Sequence, residues 1–394
     1  MSANAAPCIA AYTATSAVGV GLGPLREALA ARRSGLRRND FGDGERLDTF
    51  IGRVAGVEES ALPASLAGWD CRNNRLAWMA LQADGFLDRV AAARKRHGER
   101  GVAVVVGTST SSIGASEEAY TRLDGDGGFP ADLARPIVHT PHSLGDFVQQ
   151  ALGLRGPAVT VATACSSSAK VFAQAARLIR SGVVEAAVVG GVDTLCGSVL
   201  FGFNALELVS SEPCRPFDVA RRGLSLGEAA GFALLEREGS GPRLLGWGES
   251  SDAHHMSSPH PEGLGARLAM EGALSRAGLT PADIDYINLH GTATPKNDEI
   301  EADAIAGLFP ASTWASSTKG WTGHTLGAAG IIESVIALLA LEHGEVPGTL
   351  NSAELDPLCG PQLRLDNGQR RCRHVMNNSF GFGGNNASLL FGYA

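Results

Sequence analysis

Lysine is scarce in this chain: Lys95, Lys170, Lys296 and Lys319 are the only four in 394 residues. Basic side chains (33) are outnumbered by acidic ones (41), leaving a formal charge of −8. General nucleic-acid binding needs a broad basic footprint, so that class is excluded. Short basic clusters at Arg94-Lys95-Arg96, Arg215 with Arg221-Arg222, and Arg370-Arg371 with Arg373 read as solvated surface charge. A disulfide framework is also missing, because Cys8, Cys71, Cys165, Cys196, Cys214, Cys359 and Cys372 are scattered and odd in number. The start of the chain has no basic segment followed by a long apolar run. No apolar stretch is read as approaching the roughly 18 residues of a membrane helix. The expectation is a cytoplasmic protein with free thiols and no transmembrane segment.

Apolar residues are abundant, at 44%, and 50 glycines accompany them, a balance that suits a tightly packed α/β protein. The length allows two or three structural units, and nothing forces a metal or disulfide staple. Apolar runs at Ile9–Val18, Val102–Gly107, Ala158–Thr163 and Ala186–Gly190 read as strands. Helical spacing is read over Pro24–Arg32, Asn74–Ala93 and Ser166–Ser181, with Val171, Phe172, Ala175 and Ile179 on the apolar face of the last. Residues 43–67 are turn-rich. The second half repeats the grammar: helices over Glu262–Ala277, Asp298–Leu308 and Leu326–His343, and strands over Ile284–Leu289, Trp314–Ser317 and Asn386–Phe391. Two comparable βα blocks predict a duplicated, mostly parallel core, with 1–240 and 241–394 as its halves and the boundary near Gly239–Pro242.

Three polar segments fall at ends of these strands. Thr163-Ala164-Cys165-Ser166-Ser167-Ser168 joins a strand to a helix, where free backbone N–H groups and the helix dipole favour a thiolate. A lone cysteine there reads first as a small buried residue beside a tight turn, so its neighbours must decide. His290 opens His290-Gly291-Thr292-Ala293-Thr294-Pro295, and His324 closes Ser316-Ser317-Thr318-Lys319-Gly320-Trp321-Thr322-Gly323-His324. Side chains beyond the carboxyl ends of strands are the usual site-builders of α/β folds. A fourth segment, Phe380-Gly381-Phe382-Gly383-Gly384-Asn385-Asn386, suits backbone donors for an oxyanion better than phosphate binding.

Together the four segments resemble the β-ketoacyl-acyl carrier protein synthases of the thiolase fold, over nearly the whole chain. The nucleophile motif is matched at Cys165. H-G-T-x-T-P is matched at His290, S-T-K-x-x-T-G-H at Lys319 and His324, L-G-A-A-G-x-x-E at Glu333, and N-S-F-G-F-G-G-x-N at Phe382. The resemblance implies an α/β, αβαβα layered fold of two similar halves. It also implies a decarboxylative Claisen condensation between an acyl group on Cys165 and malonyl-acyl carrier protein, giving a 3-oxoacyl product. His290 and His324 would be the catalytic histidines, with Lys319 and Glu333 organising them. Backbone N–H groups of Cys165 and Phe382 would form the oxyanion hole, the Phe382 ring a gate, and Thr292 and Thr294 contacts to the pantetheine arm. Substrates would arrive on the phosphopantetheine of acyl carrier protein, with no separate cofactor and no metal needed for the chemistry. A structural monovalent cation near Asn288 or Asn378 is left open. The expected assembly is a homodimer, or a heterodimer with a chain-length-factor-like homologue. Cysteine with two histidines points to an elongating synthase rather than an initiating synthase, a thiolase or a non-catalytic partner.

Three positions depart from the family pattern. Leu224 stands where an aromatic is usual, Ala229 where glycine is usual and Asn385 where threonine is common. With Arg72-Asn73-Asn74-Arg75 and the triple serine after Cys165, the chain looks similar to ketosynthases of aryl polyene pigment pathways. Housekeeping fatty acid elongation is the alternative. The departures are expected to reshape the region beside Phe382.

Overall fold

A strand buried on both faces must be apolar at every position, and Val102–Gly107 is the clearest case. Val102, Val104 and Val106 enter one core and Ala103 and Val105 another. In the computed structural model, which describes residues 6–42 and 44–393, this strand sits inside a mixed sheet. Expectations touching positions 1–5, 43 and 394 lie outside the described residues. The core strands of the first half are β1 (Cys8–Ser16), β2 (Val102–Gly107), β3 (Ala158–Val161), β4 (Ala186–Asp193) and β5 (Ala229–Glu236). Those of the second are β6 (Arg243–Ser251), β7 (Tyr286–Asn288), β8 (Trp314–Ser316), β9 (His374–Gly381) and β10 (Asn385–Gly392). Their spatial order is β3-β2-β4-β5-β1 and β8-β7-β9-β10-β6. One order becomes the other on adding five to each label, so the duplication is real. A single register pair, Cys8 with Arg243, joins the two runs.

Among these core strands, parallel pairing joins β2 to β3 and β4, and β7 to β8 and β9. The pairs β4–β5, β5–β1, β9–β10 and β10–β6 are antiparallel. The expectation of a mostly parallel core is corrected accordingly. One of these antiparallel pairs is the hairpin between β9 and β10, where a tight turn over Phe382–Gly384 reverses the chain with no crossover helix.

Helices cover both sheets and fill the space between them. α1 (Arg72–Gln82), α2 (Phe86–His97) and α3 (Ser143–Leu152) share a core with the outer face of the first sheet. α4 (Ser167–Arg180) follows β3, and α5 (Gly197–Ala205) follows β4. α6 (Leu264–Ala277) and α7 (Pro295–Leu308) cover the outer face of the second sheet. α8 (Ala329–His343) lies with α4 in the central layer, in a core that draws on both sheets. The αβαβα layering follows. α1 and α2 were expected as one helix; the chain breaks between them because Asp84 takes φ 54° and accepts hydrogen bonds from Thr13 Oγ1 (2.7 Å) and Leu22 N–H (3.1 Å).

Leu326–His343 also overturns an expectation. Its 18 residues have mean hydropathy 1.6, long and apolar enough by composition to cross a membrane, yet 89% of the segment is buried inside the protein. A helix covered by helix and sheet on every side must be apolar all round. All seven cysteines are unpaired, as the scattered spacing predicted.

Candidate active site

Cys165 owes its place to a strained turn and a close fit. Ala164 sits at φ 51°, in the left-handed region, which swings the following residue out of β3 and into the start of α4. The Ser167 hydroxyl accepts from Thr163 N–H (2.9 Å) and donates to the Ala164 carbonyl (2.6 Å), locking the turn. The first turn of α4 presses on β2 and β4 where they have no side chain. A Cβ on Gly107 or Gly191 would come within 2.5 Å of Ser167 or Ser168.

The histidine loops are held by buried carboxylates. Glu301 of α7 accepts from the N–H groups of His290 (2.8 Å) and Gly291 (2.7 Å), and Asp298 accepts from Ala293 N–H (3.1 Å) and Phe217 N–H (2.7 Å). Burial pushes the Glu301 carboxyl up to about 7 against the pull of those N–H donors. His324 is fixed through its backbone, donating to the Ser225 carbonyl (2.7 Å) and accepting from Gly227 N–H (3.0 Å).

These elements bring three reactive side chains together. His324 Nε2 is 3.1 Å from Cys165 Sγ, and the two imidazole rings are 5.4 Å apart and nearly perpendicular. One ligand atom from each of Cys165, His290 and His324 falls within a common span of 4.8 Å. That is close enough to approach a shared ion, although the neighbouring Lys319 ammonium raises the cost of a cation there. Behind His290, Lys319 Nζ lies 3.5 Å from Nδ1 and donates to the His290 carbonyl and to Glu333 Oε1. Lys319 and Glu333 are 1% and 4% exposed, so this is a fully desolvated ion pair. An ammonium facing Nδ1 makes that nitrogen the acceptor, which leaves the proton on Nε2.

Burial sets the protonation states. It pushes the Cys165 thiol up to about 12, outweighing the nearby Lys319 charge and a hydrogen bond from Phe382 N–H. The helix terminus was expected to favour a thiolate; in the resting site, desolvation wins and Cys165 is a thiol. His290 is held well below its ordinary value by burial, Lys319 and His324, and His324 by burial and Lys319. Both rings are neutral near pH 7. Burial also raises the Glu333 carboxyl.

The reactive group opens on a cavity of about 300 Å3 whose lining includes Cys165, His290, His324, Thr292, Thr294 and Phe382. Thr292 and Thr294 hydroxyls lie 2.8 Å apart in its wall. The Phe382 ring stacks on Phe203 of α5 at 5.5 Å, a partner sequence reading missed. Leu224 lines this cavity; Ala229 does not, being buried in β5 within the central core, and so cannot reshape it. Asn385, at the closed end of the hairpin beside the turn, accepts from Lys170 Nζ (3.1 Å). Arg72 is remote from the thiol: it pairs with buried Glu228, which also accepts from Val54 and Leu195 N–H groups. Arg72, Asn73 and Arg75 line a second, larger cavity of about 950 Å3, to which α5 contributes Leu200 and Phe201. Asn288 Nδ2 donates to Thr318 Oγ1 (3.2 Å), and Asn378 Oδ1 accepts from Ser388 (2.8 Å). The missed carboxylates had one legible signal, since Asp298 and Glu301 stand three apart at the start of the helix after H-G-T-x-T-P.

Known proteins carry the same pattern. Residues 73–240 match the beta-ketoacyl synthase N-terminal domain and residues 243–353 the C-terminal domain. Nodulation protein E of Rhizobium meliloti is 36% identical over 299 residues, 73% of this chain and 74% of that protein. The mitochondrial 3-oxoacyl-[acyl-carrier-protein] synthase of Arabidopsis thaliana is 40% identical over 267 residues, 62% of this chain but only 58% of its own length. Among solved structures, the ketosynthase ApeO in complex with its chain length factor ApeC, from Xenorhabdus doucetiae, superposes with a TM-score of 0.89 at 38% identity. That match covers 99% of this chain and 98% of the other. The ishigamide ketosynthase/chain length factor gives 0.89 at 28%, covering 99% and 100%. With a buried cysteine facing two neutral histidines inside a duplicated αβαβα fold, the chain belongs to the thiolase-superfamily β-ketoacyl synthase family of condensing enzymes.

Proposed function

We propose that this enzyme extends acyl chains carried on acyl carrier protein, with Cys165 as nucleophile. The observation that carries the reading is the 3.1 Å approach of His324 Nε2 to Cys165 Sγ, with His290 beside it and oriented by Lys319. Cys165 Sγ attacks the acyl thioester carbon and its proton passes to His324 Nε2. The carbonyl oxygen, briefly anionic, is held by the N–H groups of Cys165 and Phe382. The bond to pantetheine sulfur breaks, and that sulfur takes up the proton. Malonyl carrier follows, with Thr292 and Thr294 on its pantetheine arm. The bond to its carboxylate breaks, carbon dioxide leaves, and His290 donates to the enolate oxygen from Nε2, joined by His324 once its single proton has moved from Nδ1 to Nε2. The enolate carbon attacks the acyl carbon on Cys165, the C–S bond breaks, a 3-oxoacyl product departs, and the released Cys165 thiolate takes up a proton from water to restore the resting thiol. Lys319 and Glu333 keep His290 in its donating tautomer, and Phe382 gates the cavity.

The halves divide near residue 240, between β5 and β6, and the enzyme works in the cytoplasm as a homodimer or with a chain-length-factor-like homologue. The natural substrates are conjugated, aryl-capped polyenes. This reading is supported by the motif resemblance, by the likeness to a ketosynthase solved with its chain length factor, and by the cavity wall. α5 lines both cavities, with Phe203 in one and Leu200 and Phe201 in the other, so a rigid chain that cannot bend round a misplaced wall is selected by that helix. The second reading is saturated-chain elongation, favoured by identity to the plant synthase.

Intact-mass analysis after exposure to acyl carrier thioester tests the chemistry. An adduct on the wild type, absent from Cys165→Ala, is expected; a normally acylated variant sinks the assignment. Competing saturated and conjugated thioesters of equal length, with and without a partner subunit, tests the substrate. Equal or better kcat/KM on the saturated chain, unmoved by the partner, overturns the polyene reading and leaves the mechanism standing.

A further inference from the structure

The two oxyanion donors belong to different parts of the fold. Cys165 N–H heads α4, whereas Phe382 N–H sits in the tip of the β9–β10 hairpin, so their separation depends on how the hairpin is seated over the helix. One side of the tip is tied to the segment after β6. Gly383 N–H donates to the Met256 carbonyl (2.7 Å), Asp252 N–H donates to the Gly384 carbonyl (3.0 Å), and Asn386 Nδ2 donates to Asp252 Oδ1 (2.8 Å). None of these bonds reaches α4.

Only one side-chain hydrogen bond joins α4 to the hairpin among the described residues, from Lys170 Nζ to Asn385 Oδ1 (3.1 Å). Lys170 stands five positions after the nucleophile, in the first turn of the helix that Cys165 precedes, and Asn385 closes the hairpin opposite Gly381. Gly381 itself lies against the nucleophile turn, where a Cβ would meet Cys165 N at 3.2 Å. Lys170 is partly buried, yet has no ion-pair partner among the described residues. Burial, the largest influence on it, disfavours its charged form, and the attraction of Glu249 offsets this only in part. A lysine that gives up water for one amide oxygen loses solvation without gaining an ion pair, so the contact is poorly explained as a stabilising device. In a chain with four lysines, this one is spent on the only side-chain hydrogen bond between α4 and the hairpin among the described residues, the contact of Phe172 with Phe391 deeper in the core being solely apolar.

We infer that Lys170 is a positioning residue that, through Asn385, sets the distance between the two oxyanion donors. The inference rests on the roles given above to Cys165 and Phe382. Loosening the tie lets the hairpin drift from Cys165 while leaving His290, His324 and Lys319 on their own supports. Acyl transfer, which uses the oxyanion hole, then suffers more than malonyl decarboxylation, which uses the histidines.

Lys170→Met, Asn385→Ala and the double variant test this in the full chain. A hexanoyl thioester on a bacterial acyl carrier protein probes single-turnover acylation of Cys165, and malonyl carrier probes release of carbon dioxide. Each single variant is expected to lower acylation about tenfold relative to decarboxylation, the scale of a sub-ångström misplacement. The double variant should be no worse than either, because both remove the same bond. Acylation within twofold of wild type, a proportional fall of both rates, or additive losses would each overturn the inference. Failure of the wild type to acylate at Cys165 would overturn the functional reading beneath it.

Discussion

Replacing Lys319 with methionine removes a charge while nearly preserving volume, and the site makes its consequences separable. Lys319 Nζ touches Glu333 Oε1, the His290 carbonyl and His290 Nδ1. Breaking a buried ion pair from one side costs about 3–5 kcal/mol, because the other partner is left uncompensated. At about 2.1 cal/mol/K of unfolding entropy per residue, a chain of this length should lose roughly 4–6 °C in Tm. Chemistry suffers for another reason. Without an ammonium at Nδ1, His290 no longer has its proton fixed on Nε2, and losing one enolate donor costs about 2–4 kcal/mol, roughly 30- to 800-fold in decarboxylation. A second variant divides the effects. In Lys319→Met/Glu333→Leu no charge is stranded, and Glu333 Oε2, which has no hydrogen-bond partner among the described residues, goes too. Apolar replacement of both partners should recover most of the lost Tm while decarboxylation stays low. Differential scanning calorimetry and carbon dioxide release from malonyl carrier provide the two readouts. Folded Lys319→Met with decarboxylation within threefold of wild type refutes the orienting role, and so does a double variant that regains rate together with Tm.

Two further outcomes follow from the same geometry. His290→Ala and His324→Ala should each slow decarboxylation by about 2–4 kcal/mol. His324→Ala should also slow acylation, since only His324 lies within 3.1 Å of the thiol; stopped-flow acylation of His290→Ala slower than that of His324→Ala would reverse the assignment. Because burial holds the thiol near 12, alkylation of resting enzyme by iodoacetamide should rise about tenfold per pH unit between pH 6 and 9, as the thiolate fraction does. A plateau near neutrality would mean that the resting cysteine is ionised.

The reactive residues were legible because they stand at strand ends in short polar motifs, and the strands before them are continuous apolar runs. Their supports were less legible. Glu301 and Asp298 look like ordinary acids in the first two turns of a charged helix; only the fold reveals that α7 aims them at backbone N–H groups of the histidine loop. β9 escaped notice because His374-Val375-Met376-Asn377-Asn378-Ser379-Phe380-Gly381 has a polar centre. Its asparagines are buried and bonded across sheet and helix, Asn377 Nδ2 to the Gly330 carbonyl and Asn378 Oδ1 to Ser388, which no periodicity rule anticipates. The direction of the thiol's shift was misread for a related reason. Helix termini are visible in sequence, whereas the depth of burial that outweighs them is a property of the assembled layers.

The duplication explains why the chemistry is divided as it is. Aligning the halves matches β3 with β8, β2 with β7 and α4 with α8. Cys165 and His324 therefore follow equivalent strands, each just before a central helix. Equivalent helices pack against each other, and a Cβ on Gly330 would come within 2.5 Å of Ala169 N, so the two helix starts are forced together and carry Sγ and Nε2 into contact. His290 follows β7, and its counterpart after β2 is Thr108-Ser109-Thr110. That segment has no imidazole; its hydroxyls and N–H groups converge instead on Asp193, buried at the end of β4. Gly327, at the start of the α8 segment, lies against this knot, where a Cβ would meet Ser109 N at 2.6 Å and Asp193 Oδ2 at 2.7 Å. The first half has thus turned its copy of the histidine loop into a buttress for the turn that carries His324. One strand end per half became a reactive contact, and the remaining pair split into a donor in the second half and a support in the first.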